Sequence, residues 1–179
     1  MIDIIEKRRS IRKYKETPVE DDKLMQIINC GRLAPSDSNT QPWNFIIVRS
    51  EEMRKKVALV SHNQEWMAAA PVFIVSVADI RVAIKDNVPI SIDEDTPGIE
   101  LKQIIIDTAI AVENMVIAAE ALGLATCWIT WYTQEEIRQI LGIPSDKYVV
   151  SIILLGYADQ EPKARPRRPI EDLIRYENW

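Results

Sequence analysis

The longest helical pattern of the chain, residues 100–122, restricts the fold more than any other feature of the sequence. It is apolar nearly all the way round, and its main interruptions are Asp107, Glu113, Asn114 and Glu120. A helix that is hydrophobic on every face cannot lie on a protein surface. It is therefore either the central helix of the domain or a helix that covers its own sheet on one face and a partner subunit on the other. We favour the second arrangement, which predicts a homodimer.

The remaining regular elements follow from composition and periodicity. Aromatic, β-branched or continuously apolar residues predict strands over residues 43–48, 71–78, 126–131 and 149–155. Shorter helices are expected over residues 2–8, between Pro18 and Pro35, over residues 50–60 and over residues 134–141. Because residues 71–78 are apolar almost without interruption, their strand should be central in a sheet that is covered on both faces. No repeat or linker divides the chain, so we expect one domain over residues 1–179.

Two segments have the composition of neither a helix nor a strand. Residues 80–99 hold two prolines, a glycine and three consecutive acidic residues, which indicates a mobile connection rather than core. This connection is either a lid over a pocket or a solvated loop. Near the C-terminus, prolines interleaved with basic residues favour an extended backbone, and apolar residues follow them. A free basic tail would not need apolar anchors, so we interpret residues 158–179 as an arm lying over another surface.

Most side-chain chemistry is excluded by the residues that the chain lacks. His62 is the only histidine, which removes most Ser/His/Asp, Cys/His and histidine-based metal sites. Cys30 and Cys127 form neither a CxxC pair nor a disulfide framework, and we interpret both as buried thiols. Five glycines form neither a GxGxxG turn nor a Walker loop, so any bound phosphate must be held by side chains. We predict no metal and no catalytic side chain.

Charge and hydropathy limit the partners and the location. A net charge of -5 argues against nucleic acid as a partner, because a polyanion binder normally carries a basic excess. No run of about 18 apolar residues and no signal peptide is present. A cytoplasmic protein without membrane contact is therefore expected.

Two basic clusters at opposite ends of the sequence could nevertheless hold a small anion. Arg8, Arg9, Ser10 and Arg12 lie within five residues, and the second cluster contains Lys163 and Arg165. Guanidinium groups pair bidentately with phosphate oxygens, and a serine hydroxyl adds a further hydrogen bond. Taken alone, the first cluster is interpreted more readily as an exposed basic turn.

A third group of polar residues precedes the first strand. This polar loop contains Pro35, Ser36, Asp37, Ser38 and Asn39. Short hydroxyl and amide side chains present several donors and acceptors within a few ångströms, as the edge of a planar heteroaromatic ring requires. A turn rich in serine and threonine before a strand is the alternative interpretation.

These segments together resemble a known family. The basic cluster at residues 8–12, the polar loop with Gln41-Pro42-Trp43, residues 122–129 (LGLATCWI) and Lys163-Ala164-Arg165 resemble, in the same order, the FMN-dependent nitroreductase family. The resemblance covers essentially the whole chain. It implies an α+β, three-layer fold with a central mixed or antiparallel sheet flanked by helices. It also implies an intertwined homodimer whose C-terminal arm packs on the partner subunit.

The resemblance further implies a site for FMN at the subunit interface and NADH or NADPH as the reductant. Electrons then pass in a ping-pong reaction to a small acceptor such as a nitroaromatic or a quinone, and the flavin carries the chemistry. The implied FMN contacts in one subunit are Arg8, Arg9, Ser10, Arg12, Asn63, Gln64, Ile129, Thr130, Trp131, Lys163 and Arg165. Those implied from the other subunit are Pro35, Ser36, Asp37, Ser38 and Asn39.

The chain departs from the family after Trp128-Ile129, where Thr130-Trp131-Tyr132 replaces the glycine or acidic residue of many relatives and could form a bulky roof over the pocket. Trp66 is either an acceptor contact or core packing. Two other functions remain open: different flavin chemistry, such as dehalogenation or desaturation, and non-catalytic FMN binding or storage. A nucleic-acid module built on the basic arm is a more distant alternative.

Overall fold

In the part of the chain that the structure describes, the sheet has four strands, and each pairs with its neighbours in antiparallel fashion. A computed structural model describes residues 2–84, 90–96 and 98–179 of the chain. Its strands are β1 (Trp43–Val48), β2 (Val72–Asp79), β3 (Ala125–Ile129) and β4 (Lys147–Gly156), in the order β1-β2-β4-β3. All four predicted strands are present. The prediction is wrong at the end of β3, because Thr130 and Trp131 lie beyond the last residue that pairs with β4.

The central position of β2 is confirmed. Residues 72–78 are all buried, and the two faces of the strand belong to different hydrophobic clusters. Phe73 and Val75 face one cluster, while Val72 and Ile74 face the other. A strand with both faces covered needs apolar residues on both faces, which is why β2, with the exception of Ser76, lacks the alternation of a surface strand.

Residues 2–84, 90–96 and 98–179 form five α-helices. They are α1 (Ile2–Lys7), α2 (Asp21–Arg32), α3 (Glu51–Val60), α4 (Ile99–Ala121) and α5 (Gln134–Leu141). The side chains of Ser50 and Thr133 accept hydrogen bonds from backbone N–H groups, and they thereby cap the N-termini of α3 and α5. Gly142 ends α5 in the left-handed conformation with φ of 64°.

Helix α4 lies on one face of the sheet, and α3 and α5 lie on the other. Val112 and Met115 of α4 pack in the cluster that contains Ile74, whereas Val57 of α3 and Ile137 of α5 pack in the cluster that contains Phe73. The arrangement is a three-layer α+β fold, as predicted. Exposed apolar side chains remain on α4, and they include Ile99, Ile106 and Ile110.

The connection between β2 and α4 is partly core, which contradicts the prediction of a mobile segment outside the core. Ile80 and Ile92 are buried and pack with Leu101 of α4. The Ile92 amide donates to the Ser145 carbonyl at 3.0 Å, and Arg138 donates to the Ile92 carbonyl. The apolar residues of this segment are interrupted by polar residues and prolines, so sequence patterns do not reveal which of them are buried. Residues 85–89 and 97 of the predicted connection lie outside the described residues.

The two cysteines differ in burial. Cys127 on β3 is buried, as predicted, and burial raises the pKa of its thiol. Cys30 is half-buried, so the prediction of a buried thiol is wrong there. The buried face of α2 is formed by Leu24, Ile27 and Gly31, and Cys30 lies beside that face rather than on it.

No helix among residues 2–84, 90–96 and 98–179 has both the length and the hydropathy needed to cross a bilayer.

Candidate functional site

A cavity of about 550 Å³ lies where the two ends of the chain meet. Six basic residues and one hydroxyl line it, and these residues are Arg8, Arg9, Ser10, Arg12, Lys163, Arg165 and Arg167. The two basic clusters, about 150 residues apart in the sequence, therefore surround one space. We call this space the basic cavity.

Backbone pairing brings the two ends together. Ser10 forms a parallel bridge with Thr126 of β3, and the Ile11 amide donates to the Thr126 carbonyl at 2.9 Å. Farther along, Tyr14 bridges to Ala158, just after β4. Ile11 and Tyr14 are buried, and this anchored segment leaves the flanking side chains of the basic cluster free to face the cavity.

The charges around the basic cavity are largely uncompensated. Among the ion pairs of the described residues, none joins a lining arginine or lysine to a carboxylate. Arg9 donates to the Glu6 and Arg8 carbonyls at 2.6 and 2.8 Å, so it caps the end of α1. The guanidinium of Arg12 lies 5.8 Å from the centroid of the Trp66 ring. Clustered cations without carboxylate partners favour a bound anion.

The polar loop forms a tight turn with unusual backbone angles. Asp37–Asn39 is a 3-10 turn, and the hydroxyl of Ser36 accepts from the Gln41 amide at 3.0 Å. Ser38, Asn39 and Gln41 have φ of 47°, 56° and 50°. Left-handed conformations at residues other than glycine cost free energy and concentrate at functional sites.

Within one protomer the polar loop and the basic cavity are separate. None of the described residues that line the basic cavity comes from the loop. The side chains of Pro35, Asp37, Ser38 and Asn39 are exposed, and Ser36 is half-buried. The loop is therefore available to a second molecule.

An aromatic pair lies beyond the end of β3. The rings of His62 and Trp131 stack with centroids 4.2 Å apart and an interplanar angle of 22°. Both side chains are exposed. His62 and the following Asn63 have φ of 54° and 55°, so a second strained turn presents the imidazole to the indole. No role for His62 was predicted, and no pattern in its sequence neighbourhood indicates this contact.

The other predicted site residues lie at different places around this region. Ile129 is buried as the last residue of β3, and Thr130 is exposed. The side-chain Nε2 of Gln64 donates to the Ser61 carbonyl at 2.9 Å, so it stabilises its own turn. Asn63 lines a separate cavity of about 460 Å³ beside α3. Trp66 is half-buried against the main core cluster, which matches the core-packing alternative.

Comparison with known proteins identifies the family. The model of the nitroreductase family matches residues 5–157. This chain belongs to the nitroreductase family. Two predictions are thereby confirmed: the family, which was predicted from four segments that occur in the same order, and the α+β fold.

Three relatives illustrate the membership. An NAD(P)H FMN reductase of Bacillus subtilis strain 168 is 32% identical over 177 residues, which is 96% of this chain and 71% of that protein. The structure of an FMN-dependent nitroreductase from Clostridium difficile R20291 has a TM-score of 0.81 and 31% identity, and the match covers 100% of both chains. The structure of the NADPH:FMN oxidoreductase of Vibrio harveyi complexed with NAD+ has a TM-score of 0.89 and 27% identity, covering 99% of this chain and 77% of that one.

Proposed function

We propose that this nitroreductase-family chain is an FMN-dependent NAD(P)H oxidoreductase that delivers electrons, in a ping-pong reaction, to a small acceptor such as a nitroaromatic or a quinone. Family membership supports the class of reaction. The names of the relatives from Bacillus subtilis and Vibrio harveyi contain both FMN and NAD(P)H or NADPH, which supports the cofactor and the reductant.

The observation that carries the proposal is the basic cavity. FMN ends in a phosphate group that carries close to two negative charges at neutral pH. Arg8 and Arg12 offer planar donors that suit phosphate oxygens, Ser10 adds a hydroxyl, and Lys163 and Arg165 close the cavity from the other end of the chain. The donor set therefore fits the phosphate of FMN.

The proposed site is completed by a second copy of the chain. Pro35, Ser36, Asp37, Ser38 and Asn39 would reach the flavin from the partner subunit, because their exposed loop does not line the basic cavity of its own protomer. The apolar residues left exposed on α4 provide a surface for such a dimer.

The protein contributes binding and orientation rather than reacting groups. When bound, FMN supplies the hydride transfer between the nicotinamide and the acceptor. Ile129 is the last residue of the strand that lies beside the basic cluster, and Thr130 and Trp131 follow it. We assign all three to the ring of the flavin. Asn63 and Gln64 are assigned to its polar edge, although Gln64 also holds its own turn. The exposed indole of Trp131 would shield the ring from water on one side.

The proposal is tested first by absorbance. The purified protein, loaded with FMN and kept anaerobic, should show a flavin spectrum that bleaches within seconds of adding NADH or NADPH. The spectrum should recover when a nitroaromatic or a quinone is added. Bound flavin that neither nicotinamide bleaches would favour different flavin chemistry, such as dehalogenation or desaturation, or FMN storage. A protein that takes up no flavin would refute the proposal.

A double variant tests the phosphate assignment. Replacing Arg8 and Ser10 with alanine removes one guanidinium and one hydroxyl from the basic cavity. A charge-assisted hydrogen bond contributes about 1.5–3 kcal/mol, so the Kd for FMN should rise at least about tenfold, while the circular dichroism spectrum stays unchanged. Arg49→Ala, which removes a guanidinium paired with Asp21 outside the cavity, should bind FMN like the unaltered protein. An unchanged Kd in the double variant would contradict the assignment.

A further inference from the structure

Asp107 is a buried carboxylate on an otherwise apolar face of α4. Its side chain is 7% exposed. Among the described residues, no lysine, arginine or histidine forms an ion pair with it. A buried charge is costly unless hydrogen bonds compensate for its lost hydration. In the sequence, this residue is only an interruption of the apolar pattern.

The compensating contact comes from the polar loop. Oδ2 of Asp107 accepts a hydrogen bond from the backbone N–H of Asp37 at 3.0 Å. Asp37 is the first residue of the 3-10 turn, so its N–H has no carbonyl acceptor within that turn. A bond from a peptide N–H to an ionised carboxylate is about twice as strong as a bond between neutral groups.

Apolar contacts hold the two ends of the same loop on the same helix. Ala34 before the loop and Trp43 after it are buried in one cluster with Ala111, which lies one turn beyond Asp107 on α4. These contacts fix where the loop begins and ends. They leave its middle to be fixed by other means, and the middle contains the left-handed residues Ser38 and Asn39.

A strained turn persists only when its surroundings determine its conformation. Ser36 restrains the turn from within by accepting from the Gln41 amide. Asp107 restrains it from outside, because its carboxylate ties the first residue of the turn to a buried helix. A carboxylate has acceptor oxygens and no donor. In its contact with the Asp37 N–H, the Asp107 side chain can therefore only accept the hydrogen bond.

We propose that Asp107 is a positioning residue, which holds the polar loop in the strained conformation needed to contact FMN in the partner subunit. This inference rests on the proposed function, since it assumes that the loop touches the flavin. Asp107 itself reaches the cofactor only through the loop that it holds.

The test compares variants of position 107 with a core variant of the same helix. Asp107→Leu keeps the branched skeleton of the side chain, with bulkier methyl groups in place of the oxygens, and removes the acceptor. We expect the Kd for FMN to rise at least about tenfold and the Asp37 amide to lose its protection against hydrogen exchange in the FMN-free protein. Asp107→Asn, which keeps an acceptor oxygen, should restore most of the affinity and the protection. Asp107→Ala serves the same purpose as the leucine variant if leucine prevents folding.

Val112→Ala separates positioning from general stability. Val112 is buried against the sheet and not against the polar loop, so this variant should lower the stability of the fold and leave the Kd for FMN unchanged within about twofold. Equal losses of affinity in Val112→Ala and Asp107→Leu would overturn the proposal, as would an unchanged Kd or Asp37 exchange rate in Asp107→Leu. Failure of the unaltered protein to bind FMN would instead overturn the proposed function.

Discussion

The three residues after β3 determine which side chains are available to contact the proposed electron acceptor. Thr130-Trp131-Tyr132 suggested a bulky roof, but Tyr132 is buried and its hydroxyl donates to the Val149 carbonyl at 3.2 Å. Burial raises the pKa of this phenol, so the group is a neutral part of the core. Trp131 is 63% exposed, and its stacking on His62 provides the only aromatic surface that these three residues leave to an acceptor.

Replacing Trp131 with alanine should change acceptor preference more than FMN binding. The indole lies outside the basic cavity and packs on the exposed His62 ring rather than on the core. Aromatic stacking contributes about 0.5–1.5 kcal/mol, so kcat/KM for a planar nitroaromatic should fall about two- to tenfold. The Kd for FMN should stay within about twofold.

The readout for Trp131→Ala is the ratio of kcat/KM values for a nitroaromatic and ferricyanide, because ferricyanide offers no aromatic ring to stack. His62→Ala is the matched control, since it removes the partner ring and leaves the indole. His62→Ala should also lower this ratio, but by less than Trp131→Ala does. A ratio that Trp131→Ala leaves unchanged would show that the indole lies outside the acceptor site.

At the scale of helices and strands, the spacing of apolar residues predicted the elements well, because the burial of a face imposes a repeat on the sequence. The continuous apolar run of β2 is a direct record of two covered faces. The apolar pattern of α4 records one face packed on the sheet, while Ile106 and Ile110 remain exposed on the protomer. Prediction failed where a residue is buried by tertiary contacts that leave no local pattern. Ile92 lies in a proline-rich, acidic segment, and its packing in a cluster with Ile80 and Leu101 makes it core.

The candidate site, too, has a part that the sequence could predict and a part that it could not. The residue types of the basic clusters indicate an anion as one of two interpretations, the other being an exposed basic turn. Their convergence depends on the pairing of Ser10 with Thr126, which no local pattern encodes. The hydrogen bond from Asp37 to Asp107 joins residues 70 positions apart, so it too is beyond what sequence patterns can predict.

The contact between α2 and α4 leads to a prediction about Gly31. A methyl group at this residue would lie 2.7 Å from Cγ of Met115 and 3.2 Å from the Ala111 carbonyl oxygen. Met115 is 1% exposed, so it cannot move without displacing other core atoms. Gly31→Ala should lower the free energy of unfolding by about 1–3 kcal/mol, even though alanine favours a helix by about 1 kcal/mol over glycine.

Urea denaturation of the FMN-free protein measures this effect. Gln26→Ala is the control on the same helix, because Gln26 is exposed and its replacement should change stability by less than about 0.5 kcal/mol. If the Gly31→Ala protein is at least as stable as the unaltered one, α2 and α4 can move apart without a loss of folding free energy, and the prediction is wrong. Since α2 runs directly into the polar loop, a shift of this helix should also weaken FMN binding.

At the scale of the whole molecule, the protomer exposes more apolar surface than its own core requires. Residues 163–179 are all exposed, and the apolar side chains among them are Ile170, Leu173, Ile174, Tyr176 and Trp179. Single exposed apolar residues are ordinary, but a run of them on an extended arm marks a surface that binds another molecule. The proposed dimer supplies that molecule and would also place the polar loop beside the partner's basic cavity.

Ending the chain after Pro169 tests this arrangement, because it removes the apolar part of the arm and keeps Lys163 and Arg165. Burying one large apolar side chain contributes about 1.5–3 kcal/mol, so loss of several should raise the dimer dissociation constant at least about tenfold. Analytical ultracentrifugation over a range of concentrations measures it. Because the proposed FMN site uses both subunits, flavin content should fall in parallel with the dimer. Glu177→Gln, a polar change within the removed segment, should alter neither. A shortened protein that remains dimeric and fully loaded with FMN would show that the apolar part of the arm does not hold the partner.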